Sequence, residues 1–259
     1  MVEVVAPAVR RILANNPSPM TDRGTNTYLL GAETLVVVDP GPDMPEHIDA
    51  IVSHGRIAFS LVTHAHQDHL PGALRLRERT GAPIFGHVAL PGVDRALADG
   101  EVVDAAGTHL VALTTPGHAP EHLCFWNETQ RLLFTGDLIA GAGTIVLADA
   151  PNALTHYLDS LDRIRALGES TLLPGHGPVV ADGLKHIESY VEHRLARERE
   201  VLVALGSGPA TIETLVATIY VGLQPELLRP AARNVRAHLD RLVHLSRVAP
   251  EGDAWRRLD

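Results

Sequence analysis

A run of seven residues, 63–69, constrains the fold more than any other part of this 259-residue sequence. It reads Thr-His-Ala-His-Gln-Asp-His, so His64, His66, Asp68 and His69 can all bind a metal ion. Successive side chains of an extended chain point to opposite sides, so His64 and His66 point the same way and can hold one ion. Where the chain bends, Asp68 and His69 turn toward a second ion. The run therefore predicts a scaffold for two adjacent metals.

The residues on either side place this run on a loop. Residues 59–63 have the apolar pattern of a buried strand. Residues 71–79 begin with a proline, which is tolerated at the start of a helix because its missing N–H group has no partner there. We therefore expect the run on a strand-to-helix loop.

Three later segments share one arrangement, in which a strand-like run is followed by a glycine and then by a potential ligand. A glycine lets the backbone approach another segment closely. The segments are residues 113–118, 132–137 and 172–177, and their ligands are His118, Asp137 and His176. Together with the first run they predict a site of seven ligands carried by four loops.

The remaining pattern alternates strands and helices, which predicts an α/β body with two layers of sheet or one large sheet. We expect a hairpin at 26–38, strands at 83–86, 110–114, 122–126, 132–135 and 172–173, and helices at 45–54, 90–99, 152–167 and 183–205.

Beyond Gly206 the sequence changes to short helical patterns at 211–220 and 225–245, followed by a possible wing at 245–258. We expect a small, mainly helical unit packed on the body. The predicted domains are a catalytic domain at 1–206 and a C-terminal domain at 207–259.

Composition and charge exclude several classes of protein. Cys124 is the single cysteine, which rules out an internal disulfide and a cysteine-rich zinc module. No secretory signal and no apolar run long enough to span a membrane is visible, so we expect a cytoplasmic protein without membrane partners. The net charge is -9, and residues 1–184 alone carry a balance of -10. Such an acidic body argues against binding duplex DNA.

The segments Thr-His-Ala-His-Gln-Asp-His, Thr-Pro-Gly-His, Thr-Gly-Asp and Pro-Gly-His-Gly resemble the ligand signatures of metallo-beta-lactamase fold hydrolases. The resemblance covers about residues 10–205 and implies an αββα sandwich. It implies that His64, His66 and His118 hold a first metal, that Asp68, His69 and His176 hold a second, and that Asp137 bridges them.

The bridging Asp137 separates branches of that family. In having this carboxylate the sequence resembles the glyoxalase-II-like and ribonuclease-Z-like hydrolases. Zinc beta-lactamases of similar motif lack it, so at most weak beta-lactamase activity is expected. Two cations that share a water lower its pKa from about 15.7 to about 7 and polarise the bond that it attacks. Nitrogen and oxygen ligands favour two Zn²⁺ per chain, with Mn²⁺ or iron as alternatives. Asp68 and Asp137 are the predicted catalytic carboxylates.

The C-terminal part resembles the beta-lactamase-like protein two group, whose C-terminal domain is similar to a winged helix. One member of that group cleaves single-stranded RNA, which implies RNA phosphodiesters as one substrate class. Arg229, Arg233 and Arg236 could line one helical face toward phosphates, or form a solvated face balanced by Glu226 and Asp240.

The sequence has three further interpretations besides RNA cleavage. Hydrolysis of a small thioester or ester fits the motif equally well and the acidic body better, although glutathione contacts of the glyoxalase type are not recognisable. A non-catalytic binding module would lack ligands, and all seven are present. Diiron oxidoreductases with a related ligand set substitute glutamate within the first run, whereas position 66 here is His66.

Several further polar residues have more than one interpretation. Asp39 follows a strand-like run, so it could orient a ligand histidine or cap a turn. His87 could contact the site or the substrate, or be structural. We expect surface or core roles for the remaining single histidines, which include His47, His54, His109, His122 and His156.

Overall fold

The computed structural model describes residues 2–258, which form two sheets packed face to face with helices on both outer sides. Within this range the first sheet contains seven strands in sequence order, with antiparallel pairing up to β4 and parallel pairing from β4 onward. Its strands are β1 (Val2–Ala6), β2 (Val9–Leu13), β3 (Asn26–Gly31), β4 (Thr34–Val38), β5 (Arg56–Leu61), β6 (Ile84–Gly86) and β7 (Arg95–Ala96).

The described chain forms a second sheet of five strands in the order β12-β11-β10-β9-β8. Four of them are antiparallel, and β12 runs parallel to β11. They are β8 (Val102–Ala105), β9 (Thr108–Thr114), β10 (Leu123–Asn127), β11 (Leu132–Gly136) and β12 (Thr171–Pro174). The sequence left one large sheet or two layers open, and the structure has two.

The helices cover the outer faces of both sheets. Two helices, α1 (Pro45–Val52) and α2 (Leu70–Thr80), pack on the first sheet. Two others, α3 (Ala153–Arg165) and α4 (Gly183–Ala204), pack on the second. Alternation within the strands explains this arrangement, since Val36 faces the core between the sheets whereas Val37 faces α1 and α2. Strands covered on both faces are apolar throughout, as Leu35–Val38 shows.

The C-terminal part has a core of its own. It consists of α5 (Ile212–Ile219), α6 (Leu228–His244) and a hairpin of β13 (Val248–Glu251) and β14 (Ala254–Arg257). Its apolar cluster joins Leu215, Val235 and Val248 to Val201 near the end of α4. The wing expected at 245–258 is this hairpin. The boundary between 206 and 207 stays a prediction.

The helix expected at 90–99 is wrong. Pro91 and Gly92, whose φ is +73°, interrupt it. The Asp94 carboxylate accepts a hydrogen bond of 2.8 Å from the Ile84 N–H, which draws the segment alongside β6 and lets β7 extend the sheet. The strands β1, β2 and β8 were not expected from the sequence.

Between residues 2 and 258, no helix has the length and apolar character that a membrane span requires. The cytoplasmic location stays a prediction from the sequence.

Candidate metal centre

The ligand-bearing segments meet at one rim of the sandwich because each follows a strand. The run 63–69 lies between the end of β5 and the start of α2. His118, Asp137 and His176 follow β9, β11 and β12 in the same way. The structure thus brings all seven predicted ligands together, and their candidate donor atoms form two groups, within each of which all atoms lie within 4.8 Å of one another.

The first group contains three histidines and Asp137. Nδ1 of His66 lies 2.9 Å from Nε2 of His64 and 2.9 Å from Nε2 of His118. Oδ2 of Asp137 lies 3.8 Å from Nε2 of His64 and 3.5 Å from Nε2 of His118. Three nitrogens and one carboxylate oxygen therefore surround a single point.

The second group contains Asp68, His69 and His176. Nε2 of His176 lies 3.1 Å from Oδ2 of Asp68, and Nε2 of His69 lies 3.7 Å from the same oxygen. The other oxygen of Asp137, Oδ1, lies 3.4 Å from Nε2 of His69 and 3.3 Å from Nε2 of His176. Asp137 therefore presents one oxygen to each group, which is the placement that a bridging carboxylate needs.

Two buried atoms of this centre have no hydrogen-bond partner within the described chain, namely Nε2 of His69 and Oδ1 of Asp137. A buried polar atom without a partner is costly unless something else binds it. Imidazole nitrogens and carboxylate oxygens are the ligands that Zn²⁺ and similar ions take. The residues present therefore fit metal ions, and both groups are able to bind one.

The far side of each buried histidine ring is fixed by a hydrogen bond. Nδ1 of His118 donates to the Val146 carbonyl at 2.7 Å, and Nδ1 of His176 lies 3.3 Å from the Gly24 carbonyl. Nδ1 of His64 lies 2.9 Å from Oγ1 of Thr63. These contacts direct Nε2 of each ring toward the centre.

Asp39 orients the ring of His69, and orienting a ligand histidine was one of the two roles expected for it. Its Oδ2 accepts from Nδ1 of His69 at 2.9 Å and from Oγ1 of Thr63 at 2.8 Å, and its Oδ1 accepts from the Thr63 N–H at 2.8 Å. Asp39 has a φ of +47°, a conformation that residues other than glycine seldom adopt. The turn after β4 thus places this carboxylate beneath the ligand run.

Burial and charge set the protonation states of the ligands. Burial lowers the pKa of His118 to about 4 and the pKa of His64 well below its usual value. Burial alone would raise the pKa of Asp68, but the hydrogen bond from His176 and the charge of His69 lower that pKa to about 2. Neutral imidazoles and an ionised carboxylate are the forms that bind a metal.

The histidines of the second group have raised pKa values, unlike those of the first group. Burial would lower the pKa of His176, but the Asp137 and Asp68 carboxylates outweigh it and raise that pKa to about 10. Burial also opposes the charge on His69, yet Asp137 and Asp39 raise the pKa of this ring well above its usual value. A metal entering this group must therefore displace protons.

The glycines before the ligands have the role that the sequence suggested. A Cβ atom on Gly175 would lie 2.6 Å from Oδ1 of Asp137 and 2.8 Å from Cε1 of His69. A Cβ atom on Gly136 would lie 2.6 Å from Oγ1 of Thr63. The segments can approach this closely only because these positions lack a side chain.

His122 lies at the site, although the sequence predicted a surface or core role for it. It is fully buried, and its Nε2 accepts from the Asp137 N–H at 3.2 Å while its Nδ1 lies 2.9 Å from Oγ1 of Thr115. It therefore holds the backbone of Asp137. His87 instead accepts from the Ala89 N–H, and in residues 2–258 it has no hydrogen bond or ion pair with a predicted ligand.

Two cavities diverge from the metal centre toward the C-terminal part, and both are lined by His118, Asp137 and His176. The first, which we call the apolar branch, has a volume of about 310 Å³. The second, the charged branch, has a volume of about 340 Å³ and also reaches His66 and Asp68. The residues that line the apolar branch include Met20, Ile145, Tyr220, Leu223, Leu227, Pro230 and Ala231. Those that line the charged branch include Glu226, Arg229, Pro230 and Arg233.

A sandwich of two sheets with a histidine and aspartate centre at its rim defines a class of metal-dependent hydrolases. The family model of the metallo-beta-lactamase superfamily matches residues 20–176, and that of the beta-lactamase associated winged helix domain matches residues 211–255. The chain belongs to the metallo-beta-lactamase superfamily, and the C-terminal unit is its associated winged helix.

Named relatives and solved structures agree with this assignment. A beta-lactamase-like protein 2 homolog from Caenorhabditis elegans is 35% identical over 90% of this chain and 83% of its own. An atrochrysone carboxyl ACP thioesterase from Aspergillus fumigatus is 35% identical over 85% of this chain and 75% of its own. A beta-lactamase domain protein from Burkholderia ambifaria shares the fold, with a TM-score of 0.89, 23% identity and coverage of 99% and 94%.

Proposed function

We propose that this protein is a hydrolase of thioesters or esters with an apolar acyl group, and that it works with two metal ions, by preference Zn²⁺. The observation that carries the proposal is the apolar branch, which opens directly from the atoms of Asp137, His118 and His176. A pocket of that kind binds a hydrocarbon by removing it from water. The thioester carbonyl would then lie beside the metal centre.

The protein residues have distinct tasks in this reaction. Metal ions bound here lower the pKa of water and polarise the carbonyl oxygen that it attacks. Asp137 supplies one oxygen to each group of ligands, and Asp68 is held by a hydrogen bond of 3.2 Å from Oγ1 of Thr25. Ile145 and Leu223 line the acyl side with apolar groups.

The apolar branch favours thioesters over RNA, the other substrate class that the sequence suggested. Proteins that bind single-stranded RNA stack bases on several aromatic side chains. Among the described lining residues of both branches, Tyr220 is the one aromatic ring apart from histidines. The relative from Aspergillus fumigatus, which is named as a thioesterase, supports the same choice.

A substrate panel tests the proposal. The metal-loaded protein would be assayed with octanoyl and acetyl thioesters of one neutral thiol, a labelled single-stranded RNA and a chromogenic cephalosporin. We expect kcat/KM for the octanoyl substrate to exceed that for the acetyl substrate by about tenfold or more, since each buried methylene contributes about 0.8 kcal/mol. Cleavage of RNA without cleavage of any thioester would refute the proposal.

A variant of the apolar branch links the preference to the cavity. Leu227→Gln places a polar group in its wall and should remove most of the preference for the octanoyl chain while acetyl turnover persists. Val221→Gln is the matched control, because Val221 lies in the same segment, is 86% exposed and does not line the cavity. Equal effects of the two changes would show that the apolar branch does not bind the acyl group.

A further inference from the structure

The charged branch differs from the apolar branch in the groups that it presents to a substrate. It shares the metal-centre residues His118, Asp137 and His176 with the apolar branch, but its outer wall is formed by Arg229, Arg233 and Glu226 of the C-terminal part. Met20, Val146 and Pro230 also line both cavities, which differ in the residues of their outer walls. A molecule held at the metal centre can therefore extend in two chemically different directions.

Arg229 and Arg233 are the arginines of the C-terminal part that line the charged branch. Both are exposed, and neither forms an ion pair or a side-chain hydrogen bond with any residue in the described range 2–258. By contrast, Arg197 pairs with Glu200, and Arg241 pairs with Glu198 at 2.6 Å. Two like charges four residues apart on a helix repel each other, so this pair is unfavourable unless an anion binds it.

Arg236, the third residue of the predicted basic face, does not line the charged branch. Its guanidinium lies over the Trp255 ring at 4.8 Å, and it lines another cavity together with Asp240 and Arg233. Glu226 is the acidic residue in the outer wall, and within the described chain it forms no ion pair with either arginine. In the described chain no carboxylate therefore pairs directly with Arg229 or Arg233, although Glu226 lines the charged branch with both and Asp240 lines the other cavity with Arg233.

We propose that Arg229 and Arg233 bind an anionic group, a carboxylate or a phosphate, on the thiol half of the substrate. The proposal rests on the thioester hydrolase activity proposed above. The acyl group occupies the apolar branch and the thiol extends along the charged branch, so that the C–S bond lies at the metal centre between them. Guanidinium groups form strong, charge-assisted hydrogen bonds with such anions.

The reaction itself is ordinary hydrolysis. One water molecule adds to the carbonyl carbon, the C–S bond breaks, and the products are a carboxylic acid and a thiol that retains the anionic group. The arginines take no part in this exchange. They are specificity-determining residues that act on binding, so their loss should appear mainly in KM.

The test compares octanoyl thioesters that differ only in the thiol. N-acetylcysteamine provides a neutral thiol, 3-mercaptopropionate provides a carboxylate, and 4′-phosphopantetheine provides a phosphate, with pantetheine as its neutral counterpart. We expect at least one anionic thioester to exceed its neutral counterpart in kcat/KM by about tenfold or more. The anion with the larger preference shows whether the arginines bind a carboxylate or a phosphate of the thiol.

Variants assign the preference to the two arginines. Arg229→Gln, Arg233→Gln and the double change should raise KM for the preferred anionic thioester by about tenfold, and should leave kcat and the neutral thioester within about twofold. The matched control is Arg199→Gln on α4, because Arg199 is exposed, lines neither branch and forms no ion pair within the described chain. It should retain the full preference.

The outcomes separate this inference from the proposed function. Equal hydrolysis of charged and neutral thioesters, or a preference that survives in the double variant, would overturn the inference and leave the thioester hydrolase standing. Cleavage of single-stranded RNA with no thioester turnover would overturn both, even if it depended on the same arginines.

Discussion

Oδ2 of Asp39 lies 2.9 Å from Nδ1 of His69, although the two residues are 30 positions apart in the chain. The same carboxylate accepts from the main chain and the hydroxyl of Thr63, whose hydroxyl lies 2.9 Å from Nδ1 of His64. One buried aspartate thus orients a histidine in each of the two ligand groups.

We predict that Asp39→Asn will weaken metal binding without unfolding the protein. The asparagine amide can still accept a hydrogen bond, but it removes the negative charge that orients and polarises His69. Changes to such supporting residues lower metal affinity or activity by about 10- to 100-fold. Competition with a chelator would measure this, and Asp43→Asn is the control, since Asp43 is exposed and pairs with Arg75. Unchanged affinity would contradict the role of Asp39.

The bridging position of Asp137 makes a prediction about metal content. The wild-type protein should hold close to two ions per chain, and Asp137→Asn should hold clearly fewer and lose more than about 100-fold in kcat/KM. Asp68→Ala and His118→Ala should abolish turnover with the fold retained. Elemental analysis and assays after chelation and Zn²⁺ addition would check this. Full activity of metal-free protein would refute it.

The positions of the ligands could be predicted because each is marked locally. His64, His66, Asp68 and His69 stand in one run, and each later ligand follows a strand-like segment and a glycine. Local marking was insufficient at His122, since a histidine among apolar residues of a strand has the pattern of the core. Its contact with the Asp137 N–H depends on the antiparallel pairing of β10 with β11, since the register of Phe125 with Phe134 places His122 opposite Asp137.

The spacing of Leu90, Val93 and Leu97 is typical of a helix, which misled the prediction for that segment. The capture of Asp94 by the Ile84 N–H is a tertiary contact, and it outweighs the local preference. The division of the site into two branches likewise could not be predicted from the sequence, because it depends on where the winged helix packs. Of the residues outside the metal centre that line the charged branch, the sequence pattern indicated Glu226, Arg229 and Arg233.

We predict that Gly175→Ala will damage the metal centre although the added group is a single methyl. That methyl would lie 2.6 Å from Oδ1 of Asp137, so the carboxylate or the loop must shift. A shift of this kind should cost about 1–3 kcal/mol of stability and lower metal content. Gly206→Ala is the control, since nothing lies within 4 Å of its added Cβ. Equal metal content in both variants would disprove the close approach.

The burial of His47 makes stability depend on pH. Burial lowers the pKa of His47 to about 4, from 6.5. The neutral ring therefore contributes stability that is fully present above pH 6.5 and is lost as the pH falls toward 4, by on the order of 3 kcal/mol in total. His47→Gln can still donate to Oγ1 of Thr27 but cannot titrate, so its unfolding free energy should fall less between pH 6.5 and 4.5. Urea titrations of metal-free protein would measure both slopes, and parallel slopes would contradict the prediction.

His238 on α6 is fully buried, and within residues 2–258 neither of its ring nitrogens has a hydrogen-bond partner. Burial lowers the pKa of this ring well below its usual value, and the charges of Arg194 and Arg197 act in the same direction. A buried polar group without a partner costs about 1–3 kcal/mol. His238→Leu keeps a similar volume and removes the polar atoms, so it should raise the unfolding free energy by about 1 kcal/mol at pH 7.5.

The advantage of His238→Leu should grow as the pH falls below 6.5, because the unfolded wild-type chain then gains a proton that the folded chain excludes. His238→Ala is the comparison, since it removes the same polar atoms but leaves a cavity and should destabilise the protein. Denaturation at pH 7.5 and 5.5 would measure all three proteins. If leucine destabilised as much as alanine at both pH values, the imidazole would have to contribute a favourable polar contact.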